Sequence, residues 1–196
     1  MKVWLNKMSN SFFDQRPNNL CKMCGMCCKV ATSAVSFEQM QLEAKNGAQS
    51  SIDFLTIFRK YESYEEAYKV NPTHVENVKR AMQEVYGENF VPEFYYCIYL
   101  NDDNSCKIYE NRYEVCKRAP ASPWMLMAPE CGYNDWLKEQ RAKHMKYVIE
   151  LKEIVAILKD YPFDYFVESK EKTAGQLIEE YQKIIDSYKR YGSDNW

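Results

Sequence analysis

The sequence predicts a mainly α-helical protein, a single helical domain of residues 1–196 folded around a core that its cysteines line. Two long regions, 36–86 and 134–191, carry apolar side chains at helical spacing and are expected to wrap that core. The cysteines fall in two shorter segments, 21–29 and 97–131. A length of 196 residues suits one domain of ordinary size.

The first helical region contains two recognisable helix starts. Ser36, with a glutamine three residues later, has the spacing of a capping box and predicts a helix to about Lys45. Pro72 suits the first turn of a helix, and Asn71 before it is the expected cap. The short amphipathic helix that follows is expected to end at Gly87. Its apolar side chains are Val75, Val78, Met82 and Val85.

The stretch between the two helical regions has a different composition. Residues 94–100 are mostly aromatic and β-branched, which favours a short strand. Turn-forming residues occupy 101–105, and 106–109 offers a returning strand. Four prolines between positions 92 and 129 exclude a continuous helix. A short β-hairpin near 94–109 is therefore expected.

The region 134–191 predicts two helices that pack through apolar stripes. No glycine or proline interrupts 134–160. The stripe of this first helix consists of Leu137, Val148, Leu151, Val155 and Leu158. The stripe of the second consists of Leu177, Ile178, Tyr181, Ile184, Ile185 and Tyr188.

Composition and charge exclude several function classes. The 26 basic and 28 acidic side chains nearly cancel to a net charge of −2, so no nucleic-acid partner is expected. No run approaches the roughly 20 apolar residues of a membrane helix, so no membrane association is expected. The N-terminal residues lack the apolar stretch and cleavage site of a secretory signal. A cytoplasmic location is therefore expected.

Eight cysteines are the most informative feature of the sequence. They are eight of 196 residues, about 4%, well short of the roughly 8–10% of a disulfide scaffold. In a reducing compartment, clustered cysteines are typical of metal ligands or redox groups. We therefore expect all eight to be metal ligands: Cys21, Cys24, Cys27, Cys28, Cys97, Cys106, Cys116 and Cys131.

The spacing of the first cysteines suits a soft metal. Cys-x2-Cys-x2-Cys puts three thiolates on a tight loop that can wrap a tetrahedral ion or an iron–sulfur cluster. Eight thiolates divide into up to two four-ligand sites that join early cysteines to late ones, although the spacing does not assign them. The adjacent Cys27 and Cys28 are expected to diverge, toward different centres or different edges of one centre. His74, expected at the surface, and His144, expected beside a packed helix face, are not needed as ligands.

These residues resemble the YkgJ-type CxxCxxCC cysteine cluster family, whose members are described as zinc- or iron-chelating. The family's opening Cys-x2-Cys-x2-Cys-Cys is matched at 21–28. Its later block, with a Cys-x-Ile-Tyr element and a following arginine, is matched over 97–131 and includes Tyr109 and Arg112. The chain departs from the family pattern at three positions that are not cysteines: Tyr113, Lys117 and Ala119.

The resemblance implies metal chelation by the eight cysteines, and it makes Tyr109 and Arg112 candidate cofactor-binding residues. A second interpretation of this pair is a buried ring and a charge partner for the thiolates. Larger relatives similar to flagellin lysine N-methylase carry a similar cluster, which implies S-adenosylmethionine as a cosubstrate and a protein or peptide as a partner.

Three functions stay open at this point, and whether the protein is an enzyme stays open with them. An iron–sulfur protein with a [4Fe–4S] cluster, redox-active or supporting an enzyme reaction, is favoured because Cys-x2-Cys-x2-Cys is similar to ferredoxin ligation. The second is a structural zinc protein that presents helices to a partner. The third is a small lysine-methyltransferase-like enzyme that uses S-adenosylmethionine, for which no catalytic residue is assigned.

Overall fold

The computed structural model describes residues 16–33 and 35–189. As predicted, the fold is mainly α-helical, with small antiparallel sheets. The described residues divide into two compact units, one up to Asp135 and one from Trp136 onward. The single domain of residues 1–196 stays a prediction, and the expected helix beyond Lys189 lies outside the described residues.

Apart from one helix of 15 residues, the larger unit consists of short elements. A 3-10 turn at Asn18–Leu20 precedes the first helix. The helices are α1 Met26–Lys29, α2 Phe37–Lys45, α3 Gln49–Ile57, α4 Tyr64–Val70, α5 Pro72–Tyr86 and α6 Glu114–Lys117. The strands are β1 Ala31–Thr32, β2 Phe58–Lys60 and β3 Phe94–Cys97.

The three strands form an antiparallel sheet in the order β1-β3-β2. Ala31 pairs with Tyr95, and Phe58 pairs with Cys97. Tyr95 is only 1% exposed and forms a core cluster with Ile57, Phe58 and Cys97. Because β1 follows the first cysteine segment and β3 begins the second, the sheet brings the two segments together.

The expected hairpin near 94–109 is shorter than predicted. Its first strand forms as β3, but its neighbours in the sheet are β1 and β2. The return segment pairs only through a bridge between Leu100 and Cys106, with the Lys107 N–H donating to the Tyr99 carbonyl at 2.9 Å. The partners of β3 come from distant sequence, so local alternation could not identify them.

Both predicted helix starts are confirmed. The Ser36 hydroxyl accepts from the Gln39 N–H at 3.2 Å at the start of α2. The Asn71 side chain accepts from the His74 N–H at 2.9 Å, with Pro72 in the first turn of α5. The expectation that His74 lies at the surface is wrong, because its side chain is 4% exposed and faces the protein interior.

The smaller unit consists largely of two helices, as predicted. They are α7 Asn134–Leu158, most of which belongs to this unit, and α8 Ala174–Lys189. A two-stranded sheet of β4 Phe166–Val167 and β5 Lys172–Thr173 lies between them in sequence, around a 3-10 turn at Glu168–Lys170. The predicted stripe of α7 is buried, and Val148, Leu151 and Val155 pack against Ile184 and Ile185 of α8.

None of the helices in the described ranges is both long and apolar enough to cross a lipid bilayer.

Candidate metal centre

The first cysteine loop is shaped by two residues with left-handed backbone. Met23 has φ 50° and Gly25 has φ 74°, so the chain curls between Cys21 and α1. Glycine suits its position for a second reason, since a Cβ there would lie 3.0 Å from the Asn104 Oδ1 atom. The curl leads directly into α1, a single helical turn that carries Cys27 and Cys28.

The late cysteines come from four different local structures. Cys97 ends β3 and is buried, whereas Cys106 stands at the isolated bridge. Cys116 lies in α6, a short turn that follows Tyr113. Cys131 lies in a turn just before α7, where its N–H donates to the Ala128 carbonyl at 2.9 Å.

Three thiols of the two segments share hydrogen bonds. The Cys28 thiol donates to Cys27, which lowers the pKa of Cys27 to about 7. It also donates to Cys97, which lowers the pKa of Cys97 to about 6. Cys28 has one proton to share between these two neighbours, and its own pKa is raised because the hydrogen bonds favour keeping that proton. The two side chains were expected to diverge, but on one helical turn their sulfur atoms share a hydrogen bond. That the two cysteines serve different centres, or different edges of one centre, stays a prediction.

Backbone amides and a lysine also stabilise the Cys97 thiolate. The Tyr99 N–H donates to the Cys97 Sγ atom at 3.4 Å, and the Leu100 N–H helps to lower the same pKa. The Lys107 ammonium lowers it further. Donors that point at sulfur favour the thiolate, the form that binds metal.

The remaining thiols fall into two neighbourhoods. Burial raises the pKa of Cys116 to about 11, and the charges of Cys97, Cys106 and Cys27 add to the rise. Burial also raises the pKa of Cys131, whose charged neighbours are the early cysteines Cys24, Cys27 and Cys21. Cys27 thus stands near both groups.

Packing supports the neighbourhood around Cys116 independently of charge. Cys28 and Cys116 both pack against the buried cluster that contains Cys97. These three cysteines, which are far apart in the sequence, therefore meet on one side of the three-stranded sheet.

Arg112 and Tyr109 form a stacked pair beside the thiols. The Arg112 guanidinium lies 3.9 Å from the centre of the Tyr109 ring, and its Nε donates to the Tyr109 carbonyl at 3.0 Å. The arginine charge lowers the pKa of both Cys27 and Cys116. These contacts agree with a charge partner for the thiolates. The ring, however, is 44% exposed, so it is not the buried ring of the second interpretation.

Asn104 is a site residue that sequence reasoning missed. Its Oδ1 atom is buried against Gly25 and has no hydrogen-bond partner. A turn of polar residues before Cys106 was visible in the sequence. Only the fold brings that turn against the first cysteine loop.

The donor set fits a soft metal ion or an iron–sulfur cluster. All eight cysteines are free thiols, and three of them are joined by hydrogen bonds. Across 16–33 and 35–189, no three histidine, cysteine, aspartate or glutamate side chains stand at the separations that hold a metal ion. The fit therefore depends on the chemistry and grouping of the sulfur atoms.

Comparison with known families agrees with this donor set. The family model CxxCxxCC, described as "Putative zinc- or iron-chelating domain", matches residues 20–145, which is more than half of the chain and includes all eight cysteines. No curated protein and no solved structure matches the chain. The match supports metal binding in general. On this evidence the chain belongs to the CxxCxxCC family of zinc- or iron-chelating domains.

Proposed function

We propose that this protein is an iron–sulfur protein with two cysteine-ligated centres. The observation that carries the proposal is the division of the thiols into two neighbourhoods, one around Cys116 and one around Cys131, that share Cys27. An iron–sulfur cluster would supply one-electron redox chemistry when bound.

The grouping suggests which cysteines share a centre. The charged neighbours that raise the pKa of Cys131 are the early cysteines, which gives a first set of Cys21, Cys24, Cys27 and Cys131. The other four cysteines form the second set, in which three pack on one cluster and Cys106 neighbours Cys116: Cys28, Cys97, Cys106 and Cys116. Cys27 is assigned to the first set, because the second set already has four cysteines without it.

This division resembles the ligation of two-cluster ferredoxins. There, three cysteines of a Cys-x2-Cys-x2-Cys run ligate one cluster, and the fourth cysteine of the run ligates the other. Here the run ends at Cys27, and Cys28 is hydrogen bonded to Cys97 of the second segment. In this chain the fourth cysteine, Cys28, directly follows the third, and this adjacency holds the two proposed centres close together.

The chain offers positive charge to balance the thiolates. Four thiolates on a cluster core of charge +2 leave a net charge of about −2. Arg112 lowers the pKa of Cys27 in the first set and of Cys116 in the second, and Lys107 does so for Cys97. These two cations are therefore the proposed charge partners of the centres.

A zinc ion in the second set is the alternative, and one observation favours it. Cys28 is hydrogen bonded to Cys97, so two sulfur atoms of this set lie in direct contact. A tetrahedral zinc ion with Zn–S bonds of about 2.3 Å holds its sulfur atoms about 3.8 Å apart, which is also close contact. A zinc centre there would be structural and without redox chemistry.

The test is metal and sulfide analysis of protein purified without oxygen, together with its visible spectrum. We expect iron and acid-labile sulfide, a brown colour and bleaching by dithionite. Cys24→Ser and Cys106→Ser should each remove one centre and leave the other. A colourless protein that contains only zinc would replace the iron–sulfur proposal with the zinc alternative. A protein that binds neither metal would overturn both.

A further inference from the structure

The helical turn that carries Cys27 and Cys28 cannot complete its own hydrogen bonds. With only four residues, α1 leaves its last carbonyl groups without partners inside the helix. Buried carbonyl groups without partners are costly, so the rest of the protein has to supply donors. For Lys29 and Val30 these donors come from the region of α4 and α5, outside the cysteine segments.

Two side chains supply these donors. The Tyr61 hydroxyl donates to the Lys29 carbonyl at 2.8 Å. The His74 ring is hydrogen bonded to the Val30 carbonyl, the residue that ends α1. The bond counts toward the pKa of His74, which burial lowers and the Val30 carbonyl raises.

A third side chain holds the start of α1. The Asn71 Nδ2 atom donates to the Met26 Sδ atom at 3.5 Å. The Oδ1 atom of the same asparagine caps α5. Asn71 and His74 are 8% and 4% exposed, so both contacts are shielded from water. The start of α5 is thereby tied to both ends of the cysteine-bearing turn.

We propose that Tyr61, Asn71 and His74 are positioning residues for the metal centres. They fix the backbone of α1 and with it the directions of Cys27 and Cys28, at the junction of the two thiol sets. This inference rests on the proposed metal-binding function. It assigns a role to the helical region 61–86, which contains no cysteine.

The test uses the purified, metal-loaded protein. Removing partners that orient metal ligands typically weakens metal affinity 10–100-fold. We expect Tyr61→Phe and His74→Leu each to lose metal to a competing chelator at about tenfold lower chelator concentration than the wild type. The visible spectrum of the metal–thiolate bonds should shift as well. His74→Gln, which keeps a side-chain N–H donor, should recover most of the affinity.

A matched control separates positioning from stability. Ala81→Gly weakens the same helix, because Ala81 is buried in α5 and glycine is a poor helix former, but Ala81 makes no hydrogen bond to α1 through its side chain. This variant should unfold at a lower temperature and keep its metal affinity and spectrum. If His74→Leu does not fold, Tyr61→Phe and the volume-conserving Met26→Leu decide the matter.

The outcomes distinguish the two proposals. If the wild type binds metal and the positioning variants behave like Ala81→Gly, the positioning role is wrong and the metal-binding function stands. If the wild type binds no metal, the proposed function fails, and the positioning role fails with it.

Discussion

The two units of this protein are built in different ways. The smaller unit consists largely of two long helices whose apolar stripes meet in clusters such as Val148, Leu151 and Ile185. Apart from the 15-residue α5, the larger unit consists of short elements, including two helices of four residues. It places polar contacts and eight thiols among small apolar clusters. Helices as short as α1 are not stable alone, because their few hydrogen bonds do not offset the entropy lost in forming the first turn.

This difference indicates where a metal matters for stability. A helix pair with continuous apolar stripes derives its stability from burial. The cysteine segments have little regular structure of their own, and metal–thiolate bonds would cross-link them. The larger unit is therefore expected to depend on metal and the smaller unit to depend on its apolar core.

The largest expected effect is that of removing the metal. Metal bound by structural cysteine sites contributes on the order of 10 kcal/mol per site, comparable with the stability of a whole domain. Chelation should therefore abolish hydrogen-exchange protection in α1 and β3, while the amides of α7 near Leu151 stay protected. Exchange measured by mass spectrometry on the full chain, with and without chelator, checks this. Equal loss of protection in both units would show that their stabilities are not separate.

A substitution that opens a cavity in the smaller unit should lower the unfolding free energy without removing metal. Leu151 is 3% exposed in the cluster between α7 and α8, so Leu151→Ala should cost about 2–5 kcal/mol of unfolding free energy. Metal content per chain should not change. Thermal unfolding combined with metal analysis tests both points. Ile149→Ala, on the exposed side of the same helix, is the matched control and should have little effect.

The same contrast explains how much could be predicted from the sequence. The helices of the smaller unit follow from local spacing, and the predicted stripe from Leu137 to Leu158 is buried. The caps at Ser36 and Asn71 are also local, and both are confirmed. The family resemblance, too, depended on local motifs and the spacing of the cysteines, and it agrees with the family match.

Features of the larger unit that depend on distant partners were not predictable. His74 is buried because its ring reaches the backbone of Val30, which is far away in the sequence. The hydrogen bond between Cys28 and Cys97 depends on the pairing of β3 with β1, and no turn motif in the sequence indicates that pairing. The position of a short element that lacks its own apolar stripe is decided by tertiary contacts. The local pattern of a single sequence does not show those contacts.

The smallest expected effect is a shift in the pH dependence of thiol reactivity, and it probes the junction of the two thiol sets directly. In the metal-free protein, the hydrogen bond from Cys28 lowers the pKa of Cys27 from 9.0 to about 7. Because the folded protein holds the thiolate more firmly than the unfolded chain does, the stability from this group is present above pH 9 and is lost as the pH falls through about 7. The thiolate is the form that reacts with iodoacetamide.

Alkylation of the exposed Cys27 should therefore rise with a midpoint near pH 7, and the neighbouring Cys28, whose pKa is raised, should stay unreactive there. Peptide mass spectrometry across a pH series measures both midpoints in one sample. Cys28→Ser keeps a hydroxyl donor, whereas Cys28→Ala removes the donor and should return the Cys27 midpoint toward pH 9. If the midpoint of Cys27 alkylation is the same in Cys28→Ala as in the wild type, the two adjacent thiols do not share a hydrogen bond. The meeting point of the two proposed centres would then lie elsewhere in the cysteine segments.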